Sequence, residues 1–113
     1  MPKNSTQRIS AANKGSDEPP QLSLLRMAQM RKQIDAIDNE LSTLLLRRLE
    51  IAAVLGNLKQ ELGMPVKDPE RETVVLEKVR AKLTSSDLAE HVQRIYHAIL
   101  NEACKVQDES ILR

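Results

Sequence analysis

The stretch MAQMRKQIDAIDNELSTLLLRRLEIAAVLGNLKQEL, residues 27–62, determines the fold of this chain. Its apolar side chains recur at alternating intervals of three and four, the spacing of one buried seam along a long α-helix. No proline interrupts the stretch, so we predict a single helix that starts between Gln21 and Met27. The apolar residues of the predicted seam are Met27, Met30, Ile34, Ile37, Leu41, Leu44, Ile51, Leu55, Leu58 and Leu62.

Arg48 occupies the one seam position that is not apolar. A guanidinium that is buried among aliphatic neighbours without a counter-charge destabilises a protein by several kcal/mol. We therefore expect Arg48 to meet a negatively charged group, and a functional role is the favoured interpretation.

The predicted helix is too long for a compact fold of one chain. About 35 residues span roughly 50 Å at ~1.5 Å per residue. A compact globule of 113 residues has a radius of gyration near ~13 Å and a diameter of roughly 35 Å. A homodimer in which the long helices pack together resolves this mismatch.

The composition favours an all-α fold. Tyr96 is the one aromatic residue, with no Phe and no Trp, so any core consists of Leu, Ile, Val, Met and Ala. Such a core is typical of helix-on-helix packing. The formal net charge of +1 gives no reason to expect nucleic acid or an acidic membrane as a partner.

Cysteine usage and targeting signals indicate a reducing, cytoplasmic location. Cys104 is the single cysteine, which excludes a disulfide framework and a cysteine-based metal site. The N-terminus lacks the apolar core of a signal peptide, and no apolar run reaches transmembrane length. The few basic residues near the N-terminus show no amphipathic pattern that would favour targeting.

The chain divides into a tail and a helical domain. Residues 1–21 are rich in Ser, Asn, Lys and Gly and lack apolar periodicity, so we predict a disordered tail. Residues 22–113 form the predicted domain. The long helix should end at Gly63, in the left-handed conformation, because Pro65 follows.

Two further helices are predicted. Asp68 followed by Pro69 is a strong helix start, because the carboxylate caps free amides and proline suits the first position. The second helix should run to about Leu83, with its inner face formed by Val75, Leu76, Val79 and Leu83. The third follows the polar turn 84–87, and its inner face consists of Leu88, Val92, Ile95, Ile99, Ala103 and Val106.

Three cations of the long helix are candidates for binding an anion. Arg48 and Lys59 are eleven positions apart, about three helical turns, so they project from nearly the same face. Between them a small, compact anion fits. Arg31 lies seventeen positions before Arg48, about 25 Å along the rod, so only an antiparallel partner helix brings a second Arg31 into that gap. Lys59 and Arg31 stand one residue off the seam, where the ordinary interpretation from position alone is an interhelical salt bridge.

The remaining polar residues have ordinary interpretations from position alone. Asp68 is interpreted as a cap, and Arg71 and Glu72 as solvated residues of a first helical turn. Cys104 is interpreted as a small core residue. The other such residues are His91 and His97, whose spacing of six does not suit a shared metal, and Arg47, which should point to solvent.

Several motifs together resemble those of the all-helical chorismate mutase family. They are MRKQIDAID at 30–38, LLLRR at 44–48, Lys59 and PVKDPERE at 65–72, and the resemblance covers about residues 25–108. Members are intertwined homodimers of three-helix chains in which each long helix spans both active sites. They convert chorismate to prephenate, the branch step toward phenylalanine and tyrosine. The predicted domain, residues 22–113, is therefore interpreted as chorismate mutase-like.

The resemblance also implies roles for individual residues. Arg48 matches the arginine that pairs with one substrate carboxylate, and Arg31 matches the one donated by the partner subunit to the other carboxylate. Lys59 and Gln107 match the residues that bind the ether oxygen. The residues near the ring hydroxyl match Asp68, acting through its backbone amide, and Glu72, with Arg71 lining that end of the pocket.

One position departs from the family's pattern. Ala103 stands where some members place a serine that helps to hold a carboxylate. A backbone contact survives this replacement, whereas a hydroxyl contact does not.

The implied chemistry requires no cofactor and no metal. The reaction is a unimolecular rearrangement in which a C–O bond breaks while a C–C bond forms. The enzyme holds a flexible dianion in its compact chair and stabilises negative charge that grows on the ether oxygen. Two alternatives stay open: isochorismate pyruvate lyase, which shares the fold, and a helical dimerisation module whose charges form only salt bridges. Glu72 favours the mutase, because a carboxylate suits the ring hydroxyl of chorismate.

Overall fold

The computed structural model describes residues 19–112 and the side chains up to residue 109. This part of the chain contains three α-helices and no strand: α1 Pro20–Glu61, α2 Pro69–Lys82 and α3 Ala89–Leu112. The all-α prediction of one long, one short and one medium helix is therefore confirmed.

Helix α1 begins earlier than the sequence predicted. Pro20 occupies the first helical position and Pro19 the N-cap, with φ −57° and ψ 148°. Proline is well suited to the first turn, because its missing N–H has no acceptor there. Pro20 and Gln21 therefore belong to the helix and not to the predicted tail, and the rest of that tail, residues 1–18, lies outside the described residues.

Gly63 ends α1 as predicted. It has a φ of 67°, a conformation that favours glycine. The Gly63 N–H donates to the Gln60 carbonyl at 3.1 Å, and the Met64 N–H donates to the Lys59 carbonyl at 2.8 Å. This pair of bonds is a Schellman motif, and it turns the chain back toward the end of α1.

Asp68 and Pro69 start α2, also as predicted. The Asp68 carboxylate accepts a hydrogen bond from the Arg71 N–H at 3.1 Å, and Pro69 is the first helical residue. The helix ends at Lys82, one residue before the predicted Leu83, and a short turn leads into α3 at Ala89.

Helix α3 packs against both other helices. Its buried residues are Leu100, Ala103 and Gln107, and those of α1 are Ala52, Gly56 and Lys59. Gly56 permits the close approach of the two helices, because a Cβ atom at this position would lie 2.9 Å from the Gln107 Cα.

The buried face of α3 differs from the predicted one. Ile95, predicted to be inside, is 60% exposed, whereas Leu100 and Gln107 are buried. Ala103 is buried as predicted. The inner face is thus shifted toward Leu100 and Gln107, the side on which Gly56 of α1 approaches Gln107.

The seam predicted along α1 is not buried within one chain. Large apolar side chains are between 45% and 59% exposed over the first half of the helix: Met27, Met30, Ile34, Ile37, Leu41 and Leu44. Ile51, Leu55, Leu58 and Leu62 in the second half are also exposed. The face that packs on α3 instead carries the small residues Ala52 and Gly56.

The shape is elongated. The principal extents are 63 × 28 × 19 Å and the Cα radius of gyration is 19.4 Å, compared with ~13 Å for a compact globule of this size. None of the helices within residues 19–112 combines the length and the apolar character needed to span a membrane.

Candidate active site

A cleft of about 260 Å³ lies between the second half of α1, the start of α2 and the second half of α3. Its walls are apolar, with charged and amide groups set into them. The lining residues are Arg48, Ile51, Ala52, Leu55, Lys59, Val66, Asp68, Arg71, Glu72, Val75, Leu100, Ala103, Cys104 and Gln107.

Lys59 is held in place at the end of α1. Its side chain is 9% exposed, and its Nζ donates a hydrogen bond to the Val66 carbonyl at 2.7 Å. The Schellman turn at Gly63 brings Val66 back to this position. An ammonium has three N–H donors, so this bond leaves donors of Lys59 available to a ligand in the cleft.

Gln107 contributes a buried polar atom without a partner. The residue is 5% exposed, and its Nε2 donates to the Ala103 carbonyl at 3.2 Å. Its Oε1 is buried and has no hydrogen-bond partner within the described part of the chain. An orphan of this kind destabilises a protein by about 1–3 kcal/mol, so it points to a ligand that satisfies it.

The acidic wall of the cleft is formed by the start of α2. Asp68 is half-buried and caps the helix, Arg71 is exposed, and the Glu72 side chain is 22% exposed. Lys67 Nζ lies 2.9 Å from both carboxylate oxygens of Glu72. This hydrogen bond raises the pKa of Lys67 above its usual value.

Cys104 lies on the wall of this cleft, not in the core as the sequence predicted. It is half-buried, and its Sγ lies 3.7 Å from Glu72 Oε2, within reach of a thiol hydrogen bond. Burial raises the pKa of the Cys104 thiol, and the negative charge of Glu72 raises it further. The group is therefore a neutral donor at neutral pH.

Arg48 is half-buried and faces an aromatic ring. Its guanidinium carbon lies 5.9 Å from the centroid of Tyr96, a distance at which a cation is attracted to the ring face. The expected counter-charge is not found: within residues 19–112 no carboxylate lies at ion-pair distance from Arg48. A cation that lines a cleft without a counter-ion is suited to binding an anion.

Comparison with known proteins assigns the family. The profile described as "Chorismate mutase type II" matches residues 30–108, most of the chain. The chain belongs to this family. The resemblance recognised in the sequence motifs is thereby confirmed.

Individual relatives agree with this assignment. The chain is 31% identical over 87 residues to the chorismate mutase of Methanocaldococcus jannaschii, covering 77% of this chain and 88% of that protein. It is 25% identical over 83 residues to the 4-amino-4-deoxychorismate mutase of Streptomyces venezuelae, covering 73% and 81% of the two chains.

A third relative is much longer. The chain is 36% identical over 72 residues to the T-protein of Haemophilus influenzae, matching 60% of this chain but 19% of that protein. The matched segment thus corresponds to about a fifth of the T-protein. No solved structure gives a significant match.

Most residues that the family resemblance selected lie together in the cleft. They are Arg48, Lys59, Asp68, Arg71, Glu72, Ala103 and Gln107. Their individual roles remain predictions. Ala103 is 6% exposed, and its carbonyl already accepts a hydrogen bond from Gln107.

Arg31 does not reach the cleft of its own chain. It is exposed on the first half of α1 and does not line the cavity, as its distance of about 25 Å along the helix requires. Its predicted place is in the site of a partner. His91, His97 and Arg47 are exposed, as expected.

Lys67 and Cys104 are the polar neighbours that sequence reasoning missed. Lys67 precedes the helix start, where charged residues are common, and no periodicity marks it. Cys104 is 32 positions from Glu72, so only the packing of α3 against α2 brings the two together. Among the described residues, no group of three His, Cys, Asp or Glu side chains is arranged to hold a metal ion.

Proposed function

We propose that this chain is a chorismate mutase, an isomerase that rearranges chorismate to prephenate on the route to phenylalanine and tyrosine. The family match over residues 30–108 supports the activity. The observation that carries the mechanism is the cleft that buries Lys59 beside the unpartnered Gln107 oxygen, with Arg48 on the same wall.

The cleft acts on its substrate by orientation and by charge. Arg48 binds a substrate carboxylate, which supplies the counter-charge that residues 19–109 do not provide. Holding the dianion in its compact chair restricts its conformational freedom on binding. The activation barrier therefore no longer includes that loss of entropy. The apolar lining excludes water, so each charged contact is stronger than it is in solution.

Lys59 stabilises the transition state. As the ether C–O bond opens, negative charge grows on the oxygen, and a fixed ammonium binds that charge more strongly than it binds the intact ether. The Val66 carbonyl holds the ammonium at 2.7 Å before substrate arrives, so little reorganisation is needed. Gln107 lies on the same side of the cleft. Its Nε2 has two donor hydrogens, of which the Ala103 carbonyl takes one, and the other donates to the same ether oxygen.

The functional unit is an intertwined homodimer. The exposed apolar seam on the first half of α1 is a continuous surface of the kind that marks a protein interface. In the described part of one chain the buried apolar residues are Ala52, Leu100 and Ala103, which is too little apolar burial for a stable fold. The long helix of a second copy covers the seam and closes the open cleft.

The partner also completes the site. The cleft of about 260 Å³ is below the ~300–1,000 Å³ that is typical of ligand pockets, and a second wall enlarges the enclosed space. Arg31 of one chain enters the site of the other and binds the second substrate carboxylate. We place this enzyme in the cytoplasm, where the lone Cys104 stays reduced.

A chorismate assay tests the proposal. Purified protein should consume chorismate and form prephenate, and Lys59→Ala should lower kcat by roughly a hundred- to a thousandfold, as loss of one oxyanion donor does. Lys105→Ala is the matched control. Lys105 is 68% exposed on α3 and pairs with Glu102 at the surface, so its removal should leave the rate unchanged.

The same assay separates the alternatives. Release of salicylate and pyruvate from isochorismate, without prephenate from chorismate, would assign the lyase. A protein that turns over neither substrate would be a dimerisation module.

A further inference from the structure

The Glu72 carboxylate is held between two side chains to which the family resemblance assigned no role. Lys67 Nζ contacts both of its oxygens at 2.9 Å. Cys104 Sγ approaches Oε2 at 3.7 Å from α3. The carboxylate lines the same cleft as Gln107, whose buried and unpartnered oxygen marks this cavity as a ligand site.

The two contacts differ in how firmly they hold Glu72. The Lys67 side chain is 59% exposed, and an ion pair at such a surface contributes little to stability and is screened by salt. It balances the charge of Glu72 more than it fixes the position of the carboxylate. Cys104 belongs to the packed helix α3 and is adjacent to the buried Ala103. The position of its backbone, from which the thiol extends, is therefore fixed by the packing of the helix.

The thiol is suited to donate. Burial and the nearby carboxylate keep the Cys104 pKa above its usual value, so the proton stays on sulfur. A carboxylate has about four lone-pair directions. Lys67 and Cys104 occupy some of these directions, and the others leave acceptor capacity for a ligand.

We infer that Cys104 is a positioning residue, whose thiol orients Glu72 so that its free lone pairs accept a hydrogen bond from the ring hydroxyl of the substrate. This inference rests on the proposed function. Cys104 does not touch the reacting bonds and acts only through Glu72. A flexible glutamate would otherwise sample several rotamers and lose part of its binding contribution.

A double-mutant cycle tests the inference. Cys104→Val keeps the approximate volume but removes the donor, and kcat/KM for chorismate should fall about three- to tenfold, the equivalent of one modest hydrogen bond. The loss should appear in KM with kcat nearly unchanged, because the hydroxyl contact is present in both ground and transition states. Cys104→Ser, which keeps a donor, should recover most of the loss.

The decisive measurement is made without Glu72. In the Glu72→Ala background, Cys104→Val should leave kcat/KM unchanged, because the residue through which the thiol acts is absent. An equal loss in both backgrounds, or a serine variant as impaired as the valine variant, would assign Cys104 a packing role and overturn the inference.

A spectroscopic signature does not depend on activity or on the folding of a cysteine variant. The chain has one cysteine, so the S–H stretching band in the infrared reports this group alone. We expect the band at the lower frequency of a hydrogen-bonded thiol, with a shift to higher frequency in Glu72→Ala. A band that Glu72→Ala leaves unmoved would contradict the contact. Absence of prephenate formation by the wild type would instead reject the proposed function.

Discussion

The two halves of α1 have the same apolar periodicity but different surroundings. From residue 20 to residue 44 the helix has exposed Met, Ile and Leu side chains and no buried residue. From residue 45 to residue 61 it packs on α3 and buries Ala52, Gly56 and Lys59. The large apolar seam therefore does not build the protomer. Small residues do so, and the seam is left for another surface.

This difference explains how one helix can both form a wall of the cleft and present a surface to a second chain. The packed half places Arg48 and Lys59 on the wall of the cleft, and α3 approaches it closely at Gly56. The unpacked half carries Arg31, which does not line the cleft described above. If a second copy covers the unpacked half, the seam and Arg31 acquire their functions in the same step.

The largest expected effect comes from two separate variants, each with a substitution in one half of α1. Arg31→Ala and Lys59→Ala should each be impaired at least about a hundredfold, since each removes a charged contact to the dianion. When the two variants are mixed in urea and refolded together, half of the dimers are mixed and contain one intact site. Activity should return to about a quarter of wild type, measured as prephenate formed per chain.

A matched mixture provides the control. Arg48→Ala and Lys59→Ala alter residues that line the same cleft of one chain, so every site in their mixed dimers stays damaged and no activity should return. Recovery in this control, or none in the first mixture, would contradict the assignment of Arg31 to the partner's site.

The sequence predicted what local chemistry determines. Gly63 ends a helix because of its own backbone freedom, and Asp68 with Pro69 starts one through bonds within four residues, so both were predicted correctly. The family motifs selected seven residues that the fold brings into one cleft. The predicted buried face of α3 was wrong at Ile95, because the spacing of apolar residues within one helix does not determine how that helix packs on another. Cys104 was assigned to the core, because no local pattern reveals a contact with Glu72 across 32 positions.

The packed half is tested by adding one methyl group. Gly56→Ala should raise helix propensity by ~1 kcal/mol, yet its Cβ would lie 2.9 Å from the Gln107 backbone. Overpacking of this kind destabilises a protein by about 1–3 kcal/mol, so the free energy of unfolding in urea should fall. Measurements need one fixed protein concentration, because association contributes to stability.

The neighbouring position serves as the control for helix propensity. Asn57→Ala changes an exposed residue and should stabilise α1 by a few tenths of a kcal/mol. A Gly56→Ala variant that is as stable as Asn57→Ala would show that the two helices can separate without loss. The contrast between the halves of α1 would then be weaker than the contacts indicate.

The smallest expected effect concerns the reactivity of Cys104, which reports how well α3 shields the cleft wall from solvent. Alkylation proceeds through the thiolate, and burial together with the Glu72 charge raises the pKa of this thiol. At pH 8 iodoacetamide should therefore react several-fold more slowly with the folded protein than with the same chain in urea. The rate should continue to rise at pH values where the unfolded thiol is already fully ionised. Glu72→Gln removes the carboxylate charge and should move the midpoint of the rate–pH curve to lower pH. A folded protein that reacts as fast as the unfolded chain would mean that the cleft wall between α2 and α3 is open to solvent.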